Sequence, residues 1–171
     1  MNSTMKPQKG TYPDYYDNYI PLVRETSFLE ALKNNGAHIT QLMSQLPAEK
    51  ENYAYAPGKW TVKHVLCHLS DTERIFAYRA LRFARKDTSV LSSFDENAFA
   101  DAAQLDHRHL RDLIAEFETV RSATISLFAG LTEDELLRSG KTTIGESTVL
   151  ALGFAICGHA SHHLQVLRER Y

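Results

Sequence analysis

The stretch Gly158-His159-Ala160-Ser161-His162-His163-Leu164-Gln165-Val166-Leu167 is the one around which the chain is organised. It lies in a long run with few helix breakers, 147–168, which predicts a final α-helix. Helical residues four apart lie one turn apart on one face, so His159 and His163 point the same way. Leu152, Ile156 and either Val166 or Leu167 share that direction, which makes it the apolar side. Two imidazoles one turn apart on an inward face can grip a divalent metal from a single rigid element. They can equally be two partly buried histidines, each satisfied by a hydrogen bond. A third ligand from elsewhere in the chain decides between these readings.

Outward from that helix, the composition sets the frame. The chain has 171 residues, 43% hydrophobic and 23% charged, enough for one domain with a substantial core. A net charge of -2 and a pI near 6.4 argue against nucleic-acid or acidic-lipid partners. Cys67 and Cys157 make no disulfide framework, and the N-terminus lacks the apolar core of a signal peptide. No apolar run approaches the ~20 residues of a membrane span. A cytoplasmic protein acting on small molecules, with no nucleic acid and no membrane, is the expectation.

Residues 1–21 are polar, carry three prolines and four tyrosines, and show no period. They predict an N-terminal arm packing through Tyr12, Tyr15, Tyr16 or Tyr19, ahead of a helical domain over 22–171. The apolar spacing of Val23, Phe28, Leu29, Leu32, Ile39, Leu42, Met43 and Leu46 predicts a first helix over 22–46. Asn34-Asn35-Gly36 is a candidate kink in it, and Pro47 ends it. After the Pro57-Gly58 turn, Thr61 is a good N-cap for a second helix over 61–85. Its inward stripe is Val62, Val65, Leu69, Phe76, Ala80 and Phe83. Residues 86–105 read as loop or irregular pieces, a length more often functional than not. A third helix is expected over 106–131, followed by a capping box at Thr132-Glu133-Asp134-Glu135. Residues 141–146 read as a short polar link. These elements predict an all-α four-helix bundle, a fold that builds metal sites from facing helices.

His68 lies on the inward flank of the second helix, in line with Val65 and Thr72. With His159 and His163 it makes a three-histidine set that leaves one tetrahedral position open, the arrangement of catalytic zinc. His162 is rotated about 100° from His163 and fits a rim position. His38, His64, His107 and His109 read as surface residues. Cys67 and Cys157 are rotated away from the ligand directions and read as buried small hydrophobes. Asp71 or Glu73 is placed to orient a ligand or take a proton. The competing reading of Asp71 is a solvated face with Arg74 as its partner. Arg79, Arg82 and Arg85 read as a basic face or as a patch for an acidic cofactor. Asp95, Glu96 and Asn97 are candidates for a lid. Catalytic residues are not assigned.

Four motifs, in order and spacing, carry a resemblance: 55–62 (Tyr-Ala-Pro-Gly-Lys-Trp-Thr-Val), His68-Leu69-x-Asp71-x-Glu73, Phe94-Asp95-Glu96-Asn97, and Gly158-His159-x-x-His162-His163. With these the chain resembles the DinB/YfiT family of metalloenzymes over about 22–170. The resemblance implies a four-helix bundle, often a homodimer, with a divalent nickel or zinc ion on His68, His159 and His163. Relatives of this kind include hydrolases and transferases or isomerases that use low-molecular-weight thiols such as bacillithiol or mycothiol. Three readings therefore stand open: a metal-dependent hydrolase, a thiol-dependent S-transferase, and a non-catalytic bundle that uses its metal for stability or sensing.

Overall fold

The structure, a computed structural model, describes residues 5–171. Its helices are α1 (Phe28–Ser44), α2 (Val62–Ala84), α3 (Glu96–Ala102), α4 (Leu110–Ala129), α5 (Glu133–Leu137) and α6 (Val149–Arg170), with a hairpin of β1 (Ser139–Thr142) and β2 (Gly145–Thr148). The four long helices form the bundle: α1 packs along α4 and α6, and so does α2. α1 and α2, consecutive long helices, therefore stand at opposite corners.

Capping by side chains starts these helices where the sequence predicts. Thr61 Oγ1 accepts from the His64 amide at 3.3 Å, and Thr132 and Glu135 exchange bonds in the predicted capping box. Thr148 does the same for α6, accepting from the Ala151 amide. Each cap contributes roughly 1 kcal/mol.

Several boundaries differ from the periodicity. α1 begins at Phe28 rather than near residue 22, because Asp14–Asn18 and Ile20–Leu22 are short 3-10 turns and Val23 is extended. Tyr16, Ile20 and Val23 reach the core from this segment, so its apolar residues are those of a packed strap. Residues 1–4 of the expected arm lie outside the described residues. α4 begins at Leu110, past a turn. The 86–105 stretch contains α3, whose N-terminus Asp95 caps by accepting from Asn97 and Ala98. The polar link is part of the hairpin, with Thr142 paired to Gly145 and Ser139 to Thr148, and Leu91 bridges to Thr142 alongside it.

Asn34-Asn35-Gly36 does not interrupt α1. Asn35 and Gly36 face a charge. The Arg121 guanidinium from α4 donates twice from Nε and once from Nη2 to Glu73 of α2, at 2.7–3.0 Å. Its Nη1 donates to the Leu32 carbonyl at 2.7 Å and to the Asn35 side-chain oxygen. Asn35 in turn donates to the Cys157 carbonyl of α6 at 2.9 Å. A Cβ on Gly36 would lie 3.2 Å from Arg121 Cγ and Nη1, so the missing side chain leaves room for the arginine.

This network divides the core. One apolar cluster takes Phe28 and Leu32 of α1, Phe76 and Phe83 of α2, Phe128 of α4 and 149–157 of α6. The other takes Ile39, Met43, 62–69 (in part), Leu113, Phe117, Leu164 and Leu167. Asn35, Glu73, Arg121 and His159 lie between the two along their own helices. Removing one partner of a buried pair strands the other charge, at about 3–5 kcal/mol. Glu73→Leu or Arg121→Met alone should lower unfolding stability by that amount, and the double variant should recover most of it in urea denaturation. Additive losses in the double variant would contradict this coupling.

Candidate metal centre

His68 enters from α2, and His159 and His163 enter from successive turns of α6. The Nε2 atoms of His68 and His159 are 2.9 Å apart. The three ring centroids are separated by 4.6, 4.8 and 4.9 Å. Ligand atoms of all three residues fall within 4.8 Å of one another. Among the described residues no cysteine, aspartate or glutamate joins this trio. His68 and His159 are buried and His163 is half-buried.

The neighbours hold these rings. Thr72 Oγ1 lies 3.4 Å from His68 Nδ1, one turn along α2. Trp60 packs on His68 with centroids 4.6 Å apart, and lies nearly parallel to His163. Tyr19 meets His159 edge-on at 5.3 Å. It gets there because Gly158 has no side chain: a Cβ would lie 2.0 Å from the Tyr19 carbonyl oxygen. The N-terminal strap crosses α6 at that notch.

Burial also fixes the charge. Desolvation lowers His68 from 6.5 to about 4, and lowers His163 to about 3 with the neighbouring His68 and His162 adding to the effect. His159 is pushed well down by burial first and by the surrounding histidines and Arg121 next. All three are neutral at pH 7, the form whose nitrogen lone pairs bind metal. Three converging neutral imidazoles fit a borderline cation such as zinc or nickel. A metal–nitrogen bond of about 2.0–2.1 Å requires ligand atoms roughly 3 Å apart, which the 2.9 Å approach of His68 and His159 meets.

The remaining candidates separate clearly. His162 is exposed on the rim, and His38, His107 and His109 are exposed. His64 is half-buried instead, because its Nδ1 bonds Thr61 Oγ1 at 2.7 Å. Cys157 is buried, but Cys67 is only half-buried, its thiol donating to Asp71 and pushed up to about 11 by burial. Asp71 also takes Arg74 at 3.3 Å, the surface partner anticipated for it. Glu73 is not a ligand-orienting acid, since Arg121 occupies it. Arg82 pairs with Asp87 and Arg85 with Glu135. Arg79 is buried, contrary to a solvated face.

A pocket of about 560 Å³ opens beside the trio, walled by His159, Tyr19, Thr72, Phe94, Arg79 and Glu96, among others. Asp95 lines it too, so the anticipated lid stretch borders the site. Glu96 also borders a small crevice behind His68. The sequence names Tyr19 only as one of four packing tyrosines and Arg79 only as one of three arginines of a basic face or patch; the structure sets both on the pocket wall. The tyrosine cluster at 12–19 was the one available signal.

Stability of the chelator-treated protein should follow these histidines. The folded-state values lie below the 6.5 of a free imidazole, so the unfolded chain binds more protons between about pH 4 and 6.5. The stabilisation from neutral burial is complete above pH 6.5 and is lost as pH falls toward 4. Urea midpoints should drop over that window, and a His68→Gln/His163→Gln variant should show a flatter profile. An unchanged profile in the variant would assign the acid sensitivity elsewhere.

The chain matches the family model of the DinB superfamily over residues 31–167. An Oceanobacillus iheyensis protein named as a candidate metal-dependent hydrolase is 23% identical over 160 residues, covering 92% of this chain and 86% of that one. YfiT from Bacillus subtilis, described as a probable metal-dependent hydrolase with an unusual four-helix bundle topology, superposes with a TM-score of 0.73 at 19% identity. That likeness covers 97% of this chain and 93% of YfiT. A mycothiol-dependent maleylpyruvate isomerase shares the fold with a TM-score of 0.66 at 13% identity, over 82% of this chain and 59% of the isomerase. The match to the family model spans most of the sequence, and the chain belongs to the DinB superfamily.

Proposed function

We propose that this protein is a metal-dependent hydrolase of small molecules, with zinc or nickel held by His68, His159 and His163. The observation that carries the reading is the convergence of three neutral imidazoles beside an open pocket of about 560 Å³. Three protein ligands without a fourth leave a coordination position for water or substrate, which favours catalysis over a purely structural ion. A divalent ion there supplies Lewis acidity and brings the pKa of a bound water toward neutrality.

The chain's own groups do the rest. Thr72 orients His68 through its second nitrogen, a contact that typically raises a ligand's affinity for metal. Trp60 and Tyr19 screen the ring faces from bulk water. Glu96 borders both the pocket and the crevice behind His68, and we assign it the handling of a proton during hydrolysis. The relatives named as metal-dependent hydrolases support the reaction class. Thiol transfer is less well supported: of the three arginines proposed to hold an acidic thiol cofactor, Arg82 and Arg85 are engaged by Asp87 and Glu135.

The test is elemental analysis of protein purified without chelator or affinity tag, beside His159→Ala. Near-stoichiometric zinc or nickel in the wild type, lost in the variant, together with metal-restored cleavage of an ester or amide panel, is the expected result. Wild type that takes up no metal at neutral pH would remove the reading.

A further inference from the structure

Among the described residues two guanidinium groups are buried, and they are treated differently. Arg121 is 5% exposed and fully matched by Glu73. Arg79 is 2% exposed, and among the described residues no carboxylate lies within ion-pair distance of it. Residues 1–4 are Met, Asn, Ser and Thr, so they bring none either. Its contacts are neutral. Nη2 donates to the Ser92 carbonyl at 2.7 Å, the guanidinium lies 5.6 Å from the centre of the Phe76 ring, and the Tyr16 phenol oxygen is the polar side-chain group that acts on its charge. Burial disfavours its charge, and only the Tyr16 phenol works against that effect.

An unmatched buried charge is costly, and a fold retains one where something else completes it. Arg79 lines the same pocket as His159. The apolar and aromatic walls there include Tyr15, Tyr19, Phe76, Phe94 and Ile144, which suit an apolar or aromatic body. Asp95 and Glu96 also line it, beside the neutral Thr72 and Ser93, and their charges oppose a polyanion.

We infer that the substrate is a small organic acid, an apolar or aromatic body bearing one carboxylate that docks on Arg79 while its reactive group faces the histidines. This rests on the pocket being the substrate site of the proposed hydrolase. It narrows the substrate to carboxylate-bearing esters, amides or lactones, and it disfavours phosphate esters and polyacidic thiols. Arg79 binds and positions; it has no part in bond cleavage. Arginine suits this task because its fork of donors matches a carboxylate side-on.

The experiment compares ligand pairs by NMR titration: benzoate with benzamide, phenylacetate with phenylacetamide, and phenyl phosphate as the dianion. Each is run on metal-loaded and chelator-treated wild type and on Arg79→Met. Wild type should prefer the carboxylate over its amide by about tenfold or more, with or without metal. Phenyl phosphate should bind more weakly than benzoate. Arg79→Met should lose the preference, keep its metal, and melt no lower than wild type, since the substitution removes an unmatched charge. Equal binding of acid and amide, a preference that survives in Arg79→Met, or no carboxylate binding at millimolar concentrations would overturn the inference. A preference seen only with metal would overturn it as well, because the ion itself would then be the anchor. Loss of the metal reading shows separately, as absent metal in wild type with the preference intact.

Discussion

The Glu73–Arg121 ion pair sits where four helices meet, and the bundle is arranged about it. Arg121 reaches from α4 to a side chain on α2 and to a carbonyl and a side chain on α1, and Asn35 passes the link to α6. Burying such a pair recovers little net free energy, because desolvation offsets most of the attraction. What it supplies is selection. Leu, Phe and Ile can repack with a helix slid by one turn, but a guanidinium with fixed donors cannot keep its partners through such a slide. The apolar clusters on either side are thereby held in a single alignment.

That alignment is also what brings the imidazoles together. His68 and His159 lie on different helices and 91 residues apart, yet their Nε2 atoms approach to 2.9 Å. Asn35 grips α6 at Cys157, two positions before His159, and lies 3.5 Å from Ser161 Oγ, two positions after it. The polar middle of the bundle thus does two things at one level. It matches one buried charge internally, and it keeps the neighbouring histidines uncharged by excluding water.

The long helices and the trio were legible in the sequence because both rest on local periodicity. His159 and His163 share a face by spacing alone, and Thr61 and Thr132 start helices by chemistry confined to one turn. Glu73, Arg79 and Arg121 were not legible in the same way. A charged residue on a helix reads as solvated until its partner is known, and the partner of Glu73 is 48 residues away on another helix. The late start of α1 has a similar cause, since Val23 is apolar for packing in a strap and not for a helical stripe. α3 and the hairpin are too short for a period to show. They are set by contacts across the fold, such as the Leu91 amide on the Lys141 carbonyl.

Trp60 is the only tryptophan in the chain, and its indole rests against His68 with His163 alongside. Indole emission is therefore a single-residue signal located at the three histidines. An imidazolium ion or an open-shell metal at this distance quenches such a fluorophore, whereas a closed-shell ion leaves it bright. The protein thus carries an intrinsic optical probe of its own site, dimmed by protonation or nickel and left bright by zinc, without any label.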